Sequence, residues 1–133
     1  VYQVPKKKRI SRPEQDFQRA LVKVLHAVLP KSVFFYAVPN GGYRKRAEAA
    51  ILIGQGVVSG VPDLAFIHHG NAYFLELKSP VGKLSPVQRD CHARIAESGA
   101  RVETVRTIDE ALESLREFGI PLRTKEFERR CAA

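Results

Sequence analysis

A chain of 133 residues with 44% apolar and 27% charged residues is long enough for one domain with its own core, and too apolar for a disordered chain. No apolar run approaches the roughly 20 residues of a membrane-spanning helix, and no signal-peptide pattern is visible. The net charge of +8 is uneven: residues 1–12 carry Lys6, Lys7, Lys8, Arg9 and Arg12 without an acid, while the remainder holds 17 basic and 14 acidic groups, so a polyanion such as nucleic acid is the expected partner.

Residues 1–10 read as a basic arm, and Pro5-Lys6-Lys7-Lys8-Arg9 has the composition of a nuclear-import signal. The chain holds no Met, so an initiator residue or leader is expected ahead of Val1. Ser11 followed by Glu14 has the spacing of a capping box. Phe17, Leu21, Val24, Leu25 and Val28 then recur at helical spacing, and Pro30 closes that helix. Val33-Phe34-Phe35-Tyr36-Ala37-Val38 is aromatic and β-branched, as strands are. Pro39 through Gly42 breaks it, and residues 46–53 have the makings of a short helix ended by Gly54. Two further strand-like runs, 61–67 and 72–78, flank a turn at His68-His69-Gly70-Asn71. Ser85-Pro86-Val87-Gln88 opens a second long helix, with Ser85 and Gln88 at capping-box spacing and Gly99 as its stop. Arg101–Val105 is a strand. Thr107 and Glu110 start a last helix, which ends near Gly119, and residues 120–133 read as a polar tail. The expected class is α/β, a mixed central sheet flanked by helices in the order α-β-β-β-α-β-α. The last strand follows a crossover helix and should run parallel to a neighbour.

Cys91 and Cys131 stand 40 residues apart without a CxxC motif, so neither a zinc site nor a disulfide framework is expected. A reducing intracellular setting fits, cytoplasmic unless the basic arm directs nuclear import.

Two carboxylates stand out. In an antiparallel hairpin turning at His69 and Gly70, Ile67 faces Ala72 and Asp63 faces Glu76. Opposed side chains have Cβ atoms about 4.5–5.5 Å apart. Two ionised carboxylates there repel by about 3 kcal/mol at ~5 Å and an effective dielectric of ~20. Either one is protonated or a cation sits between them, and hard oxygen ligands suit Mg²⁺ or Mn²⁺. The period of two puts Lys78 on the face of Glu76, where it has a choice of roles: a buried Glu–Lys ion pair, or a cation beside a phosphate.

Gly60-Val61-Pro62-Asp63-Leu64, Phe74-Leu75-Glu76-Leu77-Lys78 and Gly82-Lys83-Leu84-Ser85-Pro86-Val87-Gln88, with Asn40-Gly41-Gly42 upstream, resemble the VRR-NUC domain, a branch of the PD-(D/E)xK nucleases. The resemblance spans about residues 11–118 and implies a restriction-endonuclease-like core over 11–119 and metal-dependent hydrolysis of phosphodiester bonds in DNA. It makes Asp63, Glu76 and the backbone carbonyl of Leu77 the ligands of Mg²⁺ or Mn²⁺, and Lys78 the catalytic lysine. Glu14 matches an additional acidic position, and Gln88 a motif position near the active site; both are also helix-capping candidates. Small stand-alone members resemble Holliday-junction resolvases acting as homodimers, so a structure-selective endonuclease for four-way junctions is expected. The rival readings are an inactive nucleic-acid-binding module and the nuclease part of a larger flap or crosslink-repair enzyme.

Asn40, Gly41, Gly42, Tyr43, Arg44, Lys45 and Arg46 combine flexible backbone, one aromatic ring and three cations, a combination suited to phosphate contact and base stacking. Lys83, Ser85 and Arg89 are further candidates for the nucleic-acid surface. His68 and His69 read as solvated turn residues, and Cys91 and His92 as packing or surface positions of their helix.

Overall fold

The computed structural model describes residues 12–39 and 45–123. The elements run α1 (Pro13–Val28), β1 (Val33–Ala37), α2 (Arg46–Gly54), β2 (Leu64–His68), β3 (Asn71–Leu77), α3 (Pro86–Glu97), β4 (Arg101–Val105) and α4 (Ile108–Glu117). The four strands form one mixed sheet in the order β1-β2-β3-β4. β1 and β3 flank β2 antiparallel, and β4 joins β3 parallel, as the crossover through α3 requires.

The mixed α/β sheet agrees with the expected class, with one element more than the expected order. Helix α2 forms between β1 and β2 and runs through Gly54 to Gln55, whose N–H bonds back to the Ile51 carbonyl. The hairpin register follows from its turn. His69 and Gly70 both have positive φ, at 49° and 78°, as a two-residue type I′ turn demands. Ile67 therefore faces Ala72 and Leu64 faces Leu75, the register expected from numbering.

One sheet face carries Val33, Leu64, Phe66, Leu75, Leu77 and Val105 into a single core with Leu21 and Leu25 of α1 and Ala111 and Leu115 of α4. Phe17, Leu21, Leu25 and Leu29 are spaced by four and pack in or against this core together with Val22. Val24 and Val28, expected to share this stripe, are only half-buried.

Three local expectations change. The N-cap of α1 is Arg12, without a side-chain cap bond; the expected Ser11–Glu14 capping box rests on Ser11, which lies outside the described residues. Thr107 Oγ1 accepts from the Glu110 N–H at 3.1 Å, but the Glu110 carboxylate takes the Arg106 N–H at 2.6 Å rather than that of Thr107. The polar tail begins later than residue 120. Ile120 is buried, Leu122 packs on the core, and the Arg123 N–H donates to the Val28 carbonyl. Residues 124–133 and the basic arm lie outside the described residues.

Candidate active site

The second face of the sheet holds the charged residues. Strand alternation sends Leu64 and Leu77 into the core, so Asp63, Glu76 and Lys78 point the other way, beneath α3. Two backbone bonds extend the pairing around them. The Val38 N–H donates to the Asp63 carbonyl at 2.9 Å, and the Lys78 N–H donates to the Val105 carbonyl at 3.0 Å. The charged groups therefore sit at strand ends that stay registered, not in a loose loop.

Asp63 meets the neighbouring strand directly: its Oδ2 accepts the Leu77 N–H at 2.8 Å. The N–H and C=O of one strand residue point to the same edge, so the Leu77 carbonyl is turned toward the Asp63 side. Glu76 is 1% exposed, and neither of its carboxylate oxygens has a hydrogen-bond partner among the described residues. An ammonium of Lys78 is therefore not bonded to it, which removes the reading of a simple buried Glu–Lys ion pair. Burial first, and then the Asp63 carboxylate, push the Glu76 pKa up from the ordinary 4.5 to about 8, against a smaller opposing pull from Lys78. A buried carboxylate so placed lacks something that bears positive charge.

The donor set fits a divalent ion. Two carboxylates and a carbonyl turned to the same side are hard oxygen ligands of the kind Mg²⁺ and Mn²⁺ take. Among the described residues no three His, Cys, Asp or Glu side chains converge as a metal cluster, so an ion here would rely on backbone and water oxygens beyond Asp63 and Glu76.

The loop after Lys78 brings Glu14 into the neighbourhood. A side-chain carbon built on Gly82 would lie 2.9 Å from Ser79 Oγ and 3.4 Å from Glu14 Oε1, so the loop and the start of α1 meet closely here. Arg106 Nη1 bonds the carbonyls of both Ser79 and Gly82 at 2.6 Å and pins this loop. Glu14 itself is exposed and stands beside the loop. Sequence reasoning passed over Arg106; a basic residue just beyond a strand end carries no motif.

Gln88 has the structural role that its spacing allowed. Gln88 Oε1 accepts the Ser85 N–H at 2.9 Å, and Ser85 Oγ accepts the Gln88 N–H at 3.1 Å, a reciprocal capping box. Ser85 and Gln88 also line an apolar cleft of about 990 Å³, with Tyr36, Val57, Val61 and Phe74 among its walls. Gly60 explains why the PD segment begins with glycine. Its φ is +80°, and a side-chain carbon there would stand 2.7 Å from the Val87 carbonyl, so the loop ahead of Asp63 packs directly on the first turn of α3.

Of the proposed nucleic-acid surface, Asn40, Gly41, Gly42, Tyr43 and Arg44 lie outside the described residues. Lys45, the N-cap of α2, is exposed, as are Arg46, Lys83, Ser85 and Arg89. His69 is exposed, as a turn residue should be, but His68 is not: it ends β2 at 8% exposure, its ring 3.9 Å from that of His69. Burial, then His69, lower its pKa. The other histidine to revise is His92, expected to have a packing or surface role. Its Nε2 lies 3.9 Å from Glu76 Oε1, and its side chain is 12% exposed. The available signal was its spacing of four from Gln88, which puts both on one face of α3.

A family model, the VRR-NUC domain, matches residues 13–108. Solved structures are similar as well. One, described as a VRR_NUC domain protein, shares 18% identity over 80% of this chain and 88% of its own, with a TM-score of 0.63. Another, described as a VRR_NUC domain, shares 24% identity over 80% of this chain and 97% of its own, with a TM-score of 0.52. No curated protein matches.

Proposed function

The chain belongs to the VRR-NUC domain family, a family of nuclease domains, and on that premise we propose that it is a metal-dependent endonuclease hydrolysing phosphodiester bonds in branched DNA, four-way junctions above all. The observation that carries this reading is the buried Glu76 carboxylate, unpaired and opposite Asp63. Left without a cation, such a group must keep a proton or bear a charge that costs several kcal/mol, so fold stability alone gives no reason for it.

Asp63, Glu76 and the Leu77 carbonyl would hold Mg²⁺ or Mn²⁺. When bound, the ion neutralises the carboxylates, screens the phosphate and makes a water a better nucleophile at neutral pH. Lys78, on the same face and half-buried, offers its ammonium to a phosphate oxygen as charge builds there. Glu14, beside the pinned Ser79–Gly82 loop, would take a supporting acidic role. The leaving group would be a 3′-hydroxyl, leaving a 5′-phosphate. Residues 40–46 with Lys83, Ser85 and Arg89 would hold the backbone of the DNA. A homodimer with two-fold symmetry would present two such sites to opposed strands of a junction. Among the described residues no helix is long and apolar enough to cross a membrane.

Incubating the protein with Mg²⁺ or Mn²⁺ and matched linear, flapped and four-way DNAs tests this. Preferential nicking of the junction is expected. Equal cutting of all three would remove the selectivity, and junction binding without hydrolysis would favour the inactive binding module.

A further inference from the structure

Three buried side-chain atoms lack a hydrogen-bond partner among the described residues, and they lie together: both carboxylate oxygens of Glu76 and Nε2 of His92. Buried polar atoms are paired in the great majority of cases, and each one left over costs about 1–3 kcal/mol. The pair gap of 3.9 Å between Nε2 and Oε1 is about 1 Å longer than a charge-assisted N–H···O bond.

The backbone under His92 is held firmly. Helix α3 starts with the reciprocal Ser85–Gln88 cap, and Gly60 packs against its first turn. His92 follows Gln88 by four residues, and the adjacent Cys91 is buried against the sheet. Asp63 and Lys78 are both near enough to influence the imidazole electrostatically. A residue serving only to fill this space would gain from being apolar. An imidazole with its one inward nitrogen unpaired, aimed at an unpaired carboxylate, is suited to something else.

We propose that His92 is a positioning residue for the ion site: its Nε2–H donates to Glu76 Oε1 and holds the carboxylate in the rotamer that faces Asp63. This rests on the reading of Asp63 and Glu76 as ion ligands. It leaves the ion an all-oxygen set, since the imidazole nitrogen is spent on Glu76, and it ties the geometry of β3 to that of α3. Partners of this kind, bonded to a ligating carboxylate, orient it and typically contribute 10–100-fold to metal affinity.

Three measurements on the full chain decide it. In the Mg²⁺-loaded protein, where Glu76 is ionised, long-range ¹H–¹⁵N NMR should show His92 as the Nε2–H tautomer; a neutral Nδ1–H tautomer there overturns the proposal. In calorimetric titrations with Mn²⁺ and Mg²⁺, His92→Leu should bind roughly 10–100-fold more weakly than wild type. His92→Gln, which keeps an N–H donor, should recover most of that affinity. Unchanged affinity in His92→Leu overturns the role of His92 and leaves the ion site standing. Pulsed EPR of bound Mn²⁺ should show no directly coordinated ¹⁴N; a strong nitrogen coupling lost in His92→Leu would make His92 a ligand and overturn the positioning role. A wild-type protein that takes up neither ion overturns the site reading and this inference together. If His92→Leu does not fold, the tautomer and the His92→Gln titration still decide the matter.

Discussion

The two faces of the same four strands are built on opposite terms. The face toward α1 and α4 is a closed apolar core in which Leu64, Phe66 and Leu75 have no exposure at all. The face toward α3 carries Asp63, Glu76 and Lys78, an open apolar cleft, and exposed rings at Phe34 and Tyr36. Residues adjacent in sequence, such as Leu75 and Glu76, belong to different economies: one lowers the free energy of the fold, the other raises it. The lesson is that a pleated sheet lets a protein keep a costly charge rigid by fixing it to a face that is not asked to be stable.

That contrast is sharpest where activity and stability should move apart. Glu76→Gln is expected to lower cleavage by ~10²–10³-fold, in line with losses of a group that stabilises transition-state charge, while leaving the protein as stable as wild type or more so at pH 8. Cleavage kinetics and denaturant titration on the same preparations would check both halves. Asp63→Asn should match it in activity. On the other face the pattern reverses. Leu75→Ala, at a fully buried site, should cost about 2–5 kcal/mol of stability, read from the shift in denaturation midpoint, with the ion site chemically intact.

A smaller effect probes the charge itself. Between pH 4.5 and about 8 the folded, ion-free protein retains a proton on Glu76 that the unfolded chain has released. Stability should therefore fall as pH rises through that window and level off above it. Thermal melts should show the decline, Glu76→Gln should abolish it, and Mn²⁺ should oppose it at the upper end. His68 and His92, whose pKa values are lowered, act in the opposite sense, so the decline is read as wild type minus Glu76→Gln, and identical profiles in the two would mean that Glu76 has found a partner. The smallest change is at the helix that frames the site. Ser85→Ala removes one half of the α3 cap and should cost about 1 kcal/mol in chemical denaturation. A loss of Mn²⁺ affinity larger than the loss of stability would show that the cap also sets the position of His92 over Glu76, whereas weaker DNA binding alone would mark Ser85 as a DNA contact.

Much of this was legible in residue order because the signals are local. The His69-Gly70 turn set the hairpin register, the register made Asp63 and Glu76 opposite neighbours, and the Ser85–Gln88 spacing marked the start of α3. Local signals also misled: Thr107 and Glu110 have capping-box spacing, yet Glu110 bonds the N–H of Arg106. Ile120 and Leu122 read as tail because three apolar-flanked residues after a helix carry no period, although they pack on the core.

What residue order determined, then, is the set of strands, the face each residue takes, and a pair of acids needing a cation, since alternation and turn chemistry act within a few residues. Only the tertiary structure decided what covers that pair. The approach of His92 to Glu76, the Arg106 grip on the Ser79–Gly82 loop and the packing of Gly60 on α3 join residues 16 to 28 positions apart. Such contacts depend on how α3 lies across the sheet, a balance of packing among several elements that no local spacing records.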